Sequence, residues 1–212
     1  MTTSEKLIKI AENVQKNVEF GKSQAGGGDD DYYNVFWDEY QEKGKRVHWV
    51  SGFNNKQWND VTYNPKYPFA EGITYAASMF QNSQITDTKH PLNFVNLRAN
   101  AGSVFNSANK LKTIRTLTVA ENTSMANWFQ NCTALENIEI AGVIGQNLDI
   151  HWSVLLTAKS YHSIMTHLSK TASITLTLPA EATVRSVYDA KYGSVAWDAI
   201  TAQYPNVTIM YS

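Results

Sequence analysis

Met79-Phe80-Gln81-Asn82-Ser83, Val104-Phe105-Asn106-Ser107-Ala108 and Trp128-Phe129-Gln130-Asn131-Cys132 are three copies of one pattern, and they lie between Tyr75 and Ile140. Each copy opens with an apolar residue and Phe, followed two places on by Asn or Ser. An aliphatic residue comes five or six places after the Phe, at Ile85, Leu111 and Leu135. An alternating apolar pair then follows: Leu92/Phe94, Leu117/Val119 and Ile138/Ile140. The Phe positions 80, 105 and 129 are spaced 25 and 24 residues apart, within the period range of leucine-rich solenoids. The spacing therefore predicts an α/β fold: a leucine-rich-repeat solenoid with short strands and mixed loop and helix returns, preceded by an N-terminal helix. A scaffold of this kind presents a surface and does not enclose a reaction, and Phe80, Phe105 and Phe129 are its expected buried ladder.

Working outward, residues 1–22 read as a separate helical arm. Ser4 can cap a helix running to Glu19, with Leu7, Ile10, Val14 and Val18 along one narrow stripe. Residues 23–31 have linker composition, with Gly26-Gly27-Gly28 ahead of Asp29-Asp30-Asp31. The stripe Leu7, Ile10, Val14, Val18 is the predicted oligomerisation or anchoring surface, with a trimer as the expected homo-oligomer and folding back onto the body as the alternative. The repeat domain then occupies 32–212: an N-terminal cap at 32–74, repeats at 75–150, and helical repeats with a C-terminal cap at 151–212. The cap opens with an aromatic helix over 31–43. Beyond the repeats, strands are predicted at 148–150, 174–178 and 207–211, with helices at 154–168, 181–188 and 194–204.

Composition narrows the function. The formal net charge is −1 and charged residues are only 17% of the chain, so nothing marks a nucleic-acid or anionic-membrane partner. No stretch reads as a secretory leader or a membrane span, which predicts a protein made in the cytoplasm that does not insert into membranes. The lone cysteine, Cys132, takes a small-residue position of the repeat and reads as a buried filler, with a reactive thiol as the alternative. His48, His90, His151, His162 and His167 show no metal-ligand spacing, and no nucleophile elbow, phosphate loop or carboxylate dyad is evident. Asp29-Asp30-Asp31 reads as an acidic helix start, with calcium binding as the alternative. The chain is accordingly expected to be non-enzymatic, with no metal and no cofactor. What remains is aromatic: Trp49, Trp58, Tyr63, Tyr67, Trp152 and Tyr161 are the candidate binding residues, each weighed against burial in the caps.

The unit from Trp128 to Ile140 resembles the repeat of bacterial BspA-type leucine-rich repeat proteins. The helix opening at Glu5, the Phe36-Trp37-Asp38-Glu39-Tyr40-Gln41 segment, the Trp58 to Tyr67 segment and the Gly142-Val143-Ile144-Gly145 stretch are together similar to leucine-rich proteins encoded in phages and prophages of Gram-positive gut bacteria. The resemblance implies a virion appendage or fibre-like protein, either structural or receptor-binding. Its expected partners are a bacterial cell-surface glycan or protein and other virion proteins. A BspA-type surface adhesin is the first alternative, and a carbohydrate-active enzyme on a repeat scaffold the second.

Overall fold

The copies at Phe80, Phe105 and Phe129 fold as tight turns that lie on one another, and a fourth turn precedes them. The structure, a computed structural model, describes residues 48–63, 65, 68–97 and 101–212. These belong to one compact unit. The predicted helices at 4–19 and 31–43, the linker, and the stripe Leu7, Ile10, Val14 and Val18 lie outside the described residues.

Each turn reverses the chain through residues in the left-handed region, placed on either side of its Phe: Ser78 and Asn82, Ser103 and Ser107, Asn127 and Asn131. Short polar side chains tolerate this conformation because they bond locally to the backbone, which is why Asn or Ser recurs two places after the Phe. Ser51 has the same conformation ahead of Phe53. Ser51-Gly52-Phe53 is thus a further copy of the turn, inside the segment expected to be only a cap. The rings stack almost parallel, with centroids 5.0 Å apart for Phe53–Phe80, 5.6 Å for Phe80–Phe105 and 5.7 Å for Phe105–Phe129. All four are buried. Main-chain bonds run through the same stack in one direction, from Phe53 N to Met79 O, Phe80 N to Val104 O and Phe105 N to Trp128 O.

Beside the turns the chain pairs in parallel. Strands β1 (Leu92–Phe94), β2 (Thr113–Val119) and β3 (Asn137–Gly142) form one three-stranded sheet in that order. Leu117 faces Leu92 and Ile140, and Val119 faces Phe94 and Gly142. The pair Ile138/Ile140 is therefore offset from Leu117/Val119, because Ile138 meets Ile114 and a bulge at Arg115 absorbs the extra residue. The bulge turns the Arg115 guanidinium onto Asp87, at 3.1 Å from Nε and 2.6 Å from Nη2.

The single leucine-rich-repeat solenoid is not what forms. The chain builds two small parallel sheets of three strands each, neither of them closed, with three helices among the described residues. The second sheet holds β4 (Leu148–Asp149), β5 (Ile174–Leu178) and β6 (Val207–Tyr211). The helices are α1 (Ala158–Thr166), between β4 and β5, and α2 (Glu181–Tyr192) and α3 (Ala196–Thr201), between β5 and β6. Ahead of β1 the described residues make isolated bridges, His48 with Tyr75, Asn59 with Gln84 and Asp87 with Thr113.

The break after β3 has a local cause. Ser160 Oγ on α1 accepts from Ile138 N at 3.0 Å and donates to Glu136 O at 3.1 Å. One helical turn on, Ser163 Oγ accepts from Ile140 N at 2.8 Å. Two serine hydroxyls thus take the edge positions that a fourth strand would fill, satisfying backbone groups that would be costly to bury unpaired. Thr157, which caps α1, accepts from Ser160 N and sets the helix at that edge. Ser160→Ala should leave the buried Ile138 N–H without its acceptor and cost about 1–3 kcal/mol in chemical denaturation; an unchanged midpoint would show that the hydroxyl does not hold the edge.

At the far end, Tyr161 and Tyr188 meet Trp197 edge-on at 6.2 Å and 5.1 Å, and Trp197 Nε1 donates to the Tyr211 hydroxyl at 2.8 Å. This aromatic cluster ties α1, α2, α3 and β6 into the second core. Among the described residues, no helix is long and apolar enough to cross a membrane.

Candidate functional site

The aromatic candidates do not converge. Trp49 is buried, stacked on Phe53 at 5.3 Å and edge-on to Phe69. Tyr63 is buried against Phe53 and Phe80, and its hydroxyl donates to Thr88 O at 2.6 Å. Burial pushes the Tyr63 phenol well above its usual pKa. Tyr161 is buried, and burial raises its phenol to about 12. Trp58 is half-buried against the edge of Phe53, and Tyr67 lies outside the described residues. Trp49, Tyr63 and Tyr161 are therefore core residues, correcting the reading of them as binding residues. Aromatic residues also fill the core, and sequence pattern does not separate that use from display.

Trp152 is the exception, 39% exposed. It follows β4 in a turn, with its indole 4.8 Å from the His151 ring. His151 Nδ1 is 2.5 Å from Asp149 Oδ1, and His151 N also donates to that oxygen at 3.2 Å. Val154 and Leu155, just beyond, are 49% and 54% exposed.

Asp149 is also part of the lining of a groove of about 420 Å³. One wall is 124–127, the approach to the last of the stacked turns; the other is 146–149; Thr175 and Thr177 of β5 complete it. The groove exists because the second sheet does not continue the turn stack. The N–H groups of Ser78 and Ser103 donate to the carbonyls of Gly102 and Ala126 in the next turn, but that of Asn127 finds no acceptor among the described residues. Asn147 Oδ1 accepts from Thr175 N at 2.8 Å and so braces one wall against β5. The side chains of Ser124, Asn127, Gln146, Thr175 and Thr177 make no hydrogen bond to other described residues, leaving hydroxyls and carboxamides open to a ligand.

None of these groove residues stands out in the sequence. Thr175 and Thr177 are the polar half of the alternation Ile174-Thr175-Leu176-Thr177-Leu178, which looks like an ordinary solvated face. The signal that could have found the site is the last turn, since a stack that stops must leave its donors open.

The other reactive types are occupied. The Cys132 thiol is buried 3.1 Å from Phe105 O, and burial raises its pKa to about 12, which suits the filler reading. His162 Nδ1 bonds the Tyr188 hydroxyl at 2.8 Å, and His90 Nε2 lies 3.0 Å from Pro65 O. Among the described residues no group of three or more His, Cys, Asp or Glu is placed to hold a metal ion. Asp29-Asp30-Asp31 lies outside them. No protein-family model matches the chain, and no curated protein and no solved structure matches it.

Proposed function

We propose that this chain is a non-enzymatic recognition protein that binds a bacterial cell-surface glycan or protein through the groove at β4 and β5. The observation that carries the reading is Trp152: an exposed indole, joined through His151 to a carboxylate of a groove in which the side chains of Ser124, Asn127, Gln146, Thr175 and Thr177 are unspent. A large aromatic surface beside open polar groups is the usual composition of a recognition hot spot. The resemblance to leucine-rich proteins of phages and prophages supports display on a virion, with a BspA-type adhesin as the alternative setting. Trp152→Ala should change stability by no more than about 0.5 kcal/mol while weakening attachment to host cells by roughly 30-fold or more. Attachment of the variant at full strength would remove the basis of the proposal.

Assembly belongs to the same proposal. Leu7, Ile10, Val14 and Val18 would bundle three copies and multiply weak groove contacts by avidity. Light scattering on the full chain and on a version starting at Asp29 is expected to give a trimer and a monomer, and monomers for both would refute the arm's role.

A further inference from the structure

We infer that the groove takes an uncharged polyhydroxylated ligand, a neutral cell-wall saccharide, and not a phosphate-bearing polymer. The inference rests on the reading of the groove as the recognition site and goes further by naming what it recognises.

Charge decides between the two ligand classes. No lysine or arginine lines the groove, and its one formal charge is the Asp149 carboxylate. The His151 imidazole is already turned onto that carboxylate. A phosphate polymer entering here would meet a like charge with no cation to pair it, whereas anion sites are built from Arg, Lys or converging backbone donors.

Hydrogen-bond capacity points the same way. A sugar hydroxyl both donates and accepts, so it needs partners of both kinds within a short distance. Thr175 and Thr177 are two apart on β5 and therefore share one face of the strand. Their hydroxyls offer both roles, as do the carboxamides of Asn127 and Gln146. The unspent N–H of Asn127 adds a fixed donor suited to a ring hydroxyl or an acetamido oxygen. Asp149 Oδ2, the oxygen His151 leaves free, supplies a strong acceptor.

Shape completes the argument. A volume of about 420 Å³ falls in the range of small-ligand clefts, roughly 300–1,000 Å³. Trp152 lies just past Asp149 and outside the groove lining, and its exposed indole offers a flat apolar surface on which the C–H face of a further sugar unit can lie.

The experiment uses the full chain and protein-stripped walls from a panel of Gram-positive gut bacteria, with and without periodate, which cleaves vicinal diols. Competitors are neutral oligosaccharides released from the same walls and poly(glycerol phosphate). Binding is expected to survive protein stripping, to be lost after periodate, and to be displaced by the neutral oligosaccharides only. Raising the salt should leave affinity within about twofold, because no ion pairs are made. Thr177→Val, which keeps shape and removes a hydroxyl, should weaken binding about tenfold, with an unchanged circular dichroism spectrum as the control for folding. Displacement by poly(glycerol phosphate), or loss of binding on protein stripping, would overturn the saccharide assignment, and a loss of affinity in Trp152→Ala would still uphold the recognition site. Binding untouched by both Trp152→Ala and Thr177→Val, or absent from every wall of the panel, would overturn the recognition site itself.

Discussion

Phe105→Ala is expected to cost about 3–5 kcal/mol of folding stability, through lost apolar burial and the cavity left behind. Phe105 is an inner member of the stack, with Phe80 at 5.6 Å on one face, Phe129 at 5.7 Å on the other, and Trp128 edge-on at 6.2 Å. Collapse into the space is opposed by the main-chain bonds that hold the turns at their spacing, Phe80 N to Val104 O and Phe105 N to Trp128 O. Phe53→Ala should cost a similar amount, since Phe53 stacks on Phe80 at 5.0 Å and on Trp49 at 5.3 Å and meets Trp58 and Tyr63 edge-on, both at 5.0 Å. Urea unfolding of the two variants checks the size at both positions. A loss under about 1 kcal/mol at Phe105 would mean that the rings fill space without holding the turns together.

Gly142→Ala should be nearly as damaging, at about 2–4 kcal/mol, from backbone strain and steric overlap together. Gly142 ends β3 at φ +85°, and a Cβ there would run into the Val119 carbonyl oxygen, which accepts from Val143 N. Gly193 provides the comparison: its φ is +108°, and a Cβ there would meet nothing. Gly193→Ala should therefore cost only the backbone term, about 1–3 kcal/mol, and less than Gly142→Ala. Equal losses at the two sites would refute the steric account of Gly142.

The turns were legible because their periodicity is enforced by geometry that few residues satisfy. Asn82, Ser107 and Asn131 mark left-handed backbone, and each Phe marks the stack. The strands at 174–178 and 207–211 were legible from alternation. The fold class was not, because what ends the first sheet is a pair of serines on a helix, and Ser160 and Ser163 carry no mark in the sequence that separates them from solvated serines. Phe53 escaped because Gly52 replaces the apolar residue that precedes the other Phe rings. In the candidate site, Trp152 could be named but not told from Trp49 or Tyr161. Exposure depends on what packs above a residue, and that is decided by the long-range arrangement of β4, α1 and β5.

The stack also has a direction, and that bears on how the chain is made. Within the stacked turns the main-chain bonds run from an N–H of the earlier turn to a carbonyl of the later one, while just past them Gln84 N, Lys112 N and Glu136 N donate back to Trp58 O, Thr86 O and Lys112 O. During translation, each finished turn therefore waits with its donors open for the next stretch to leave the ribosome. Side-chain bonds between adjacent turns span 24 to 27 residues. At 5–20 residues per second, a ribosome delivers such a length in about 1–5 s. Closing a short loop takes under a microsecond and a hairpin about 1–10 μs. Each turn thus has ample time to settle on its predecessor before the following one exists, and an unfinished chain exposes one layer of unmatched donors at a time instead of a whole uncovered core.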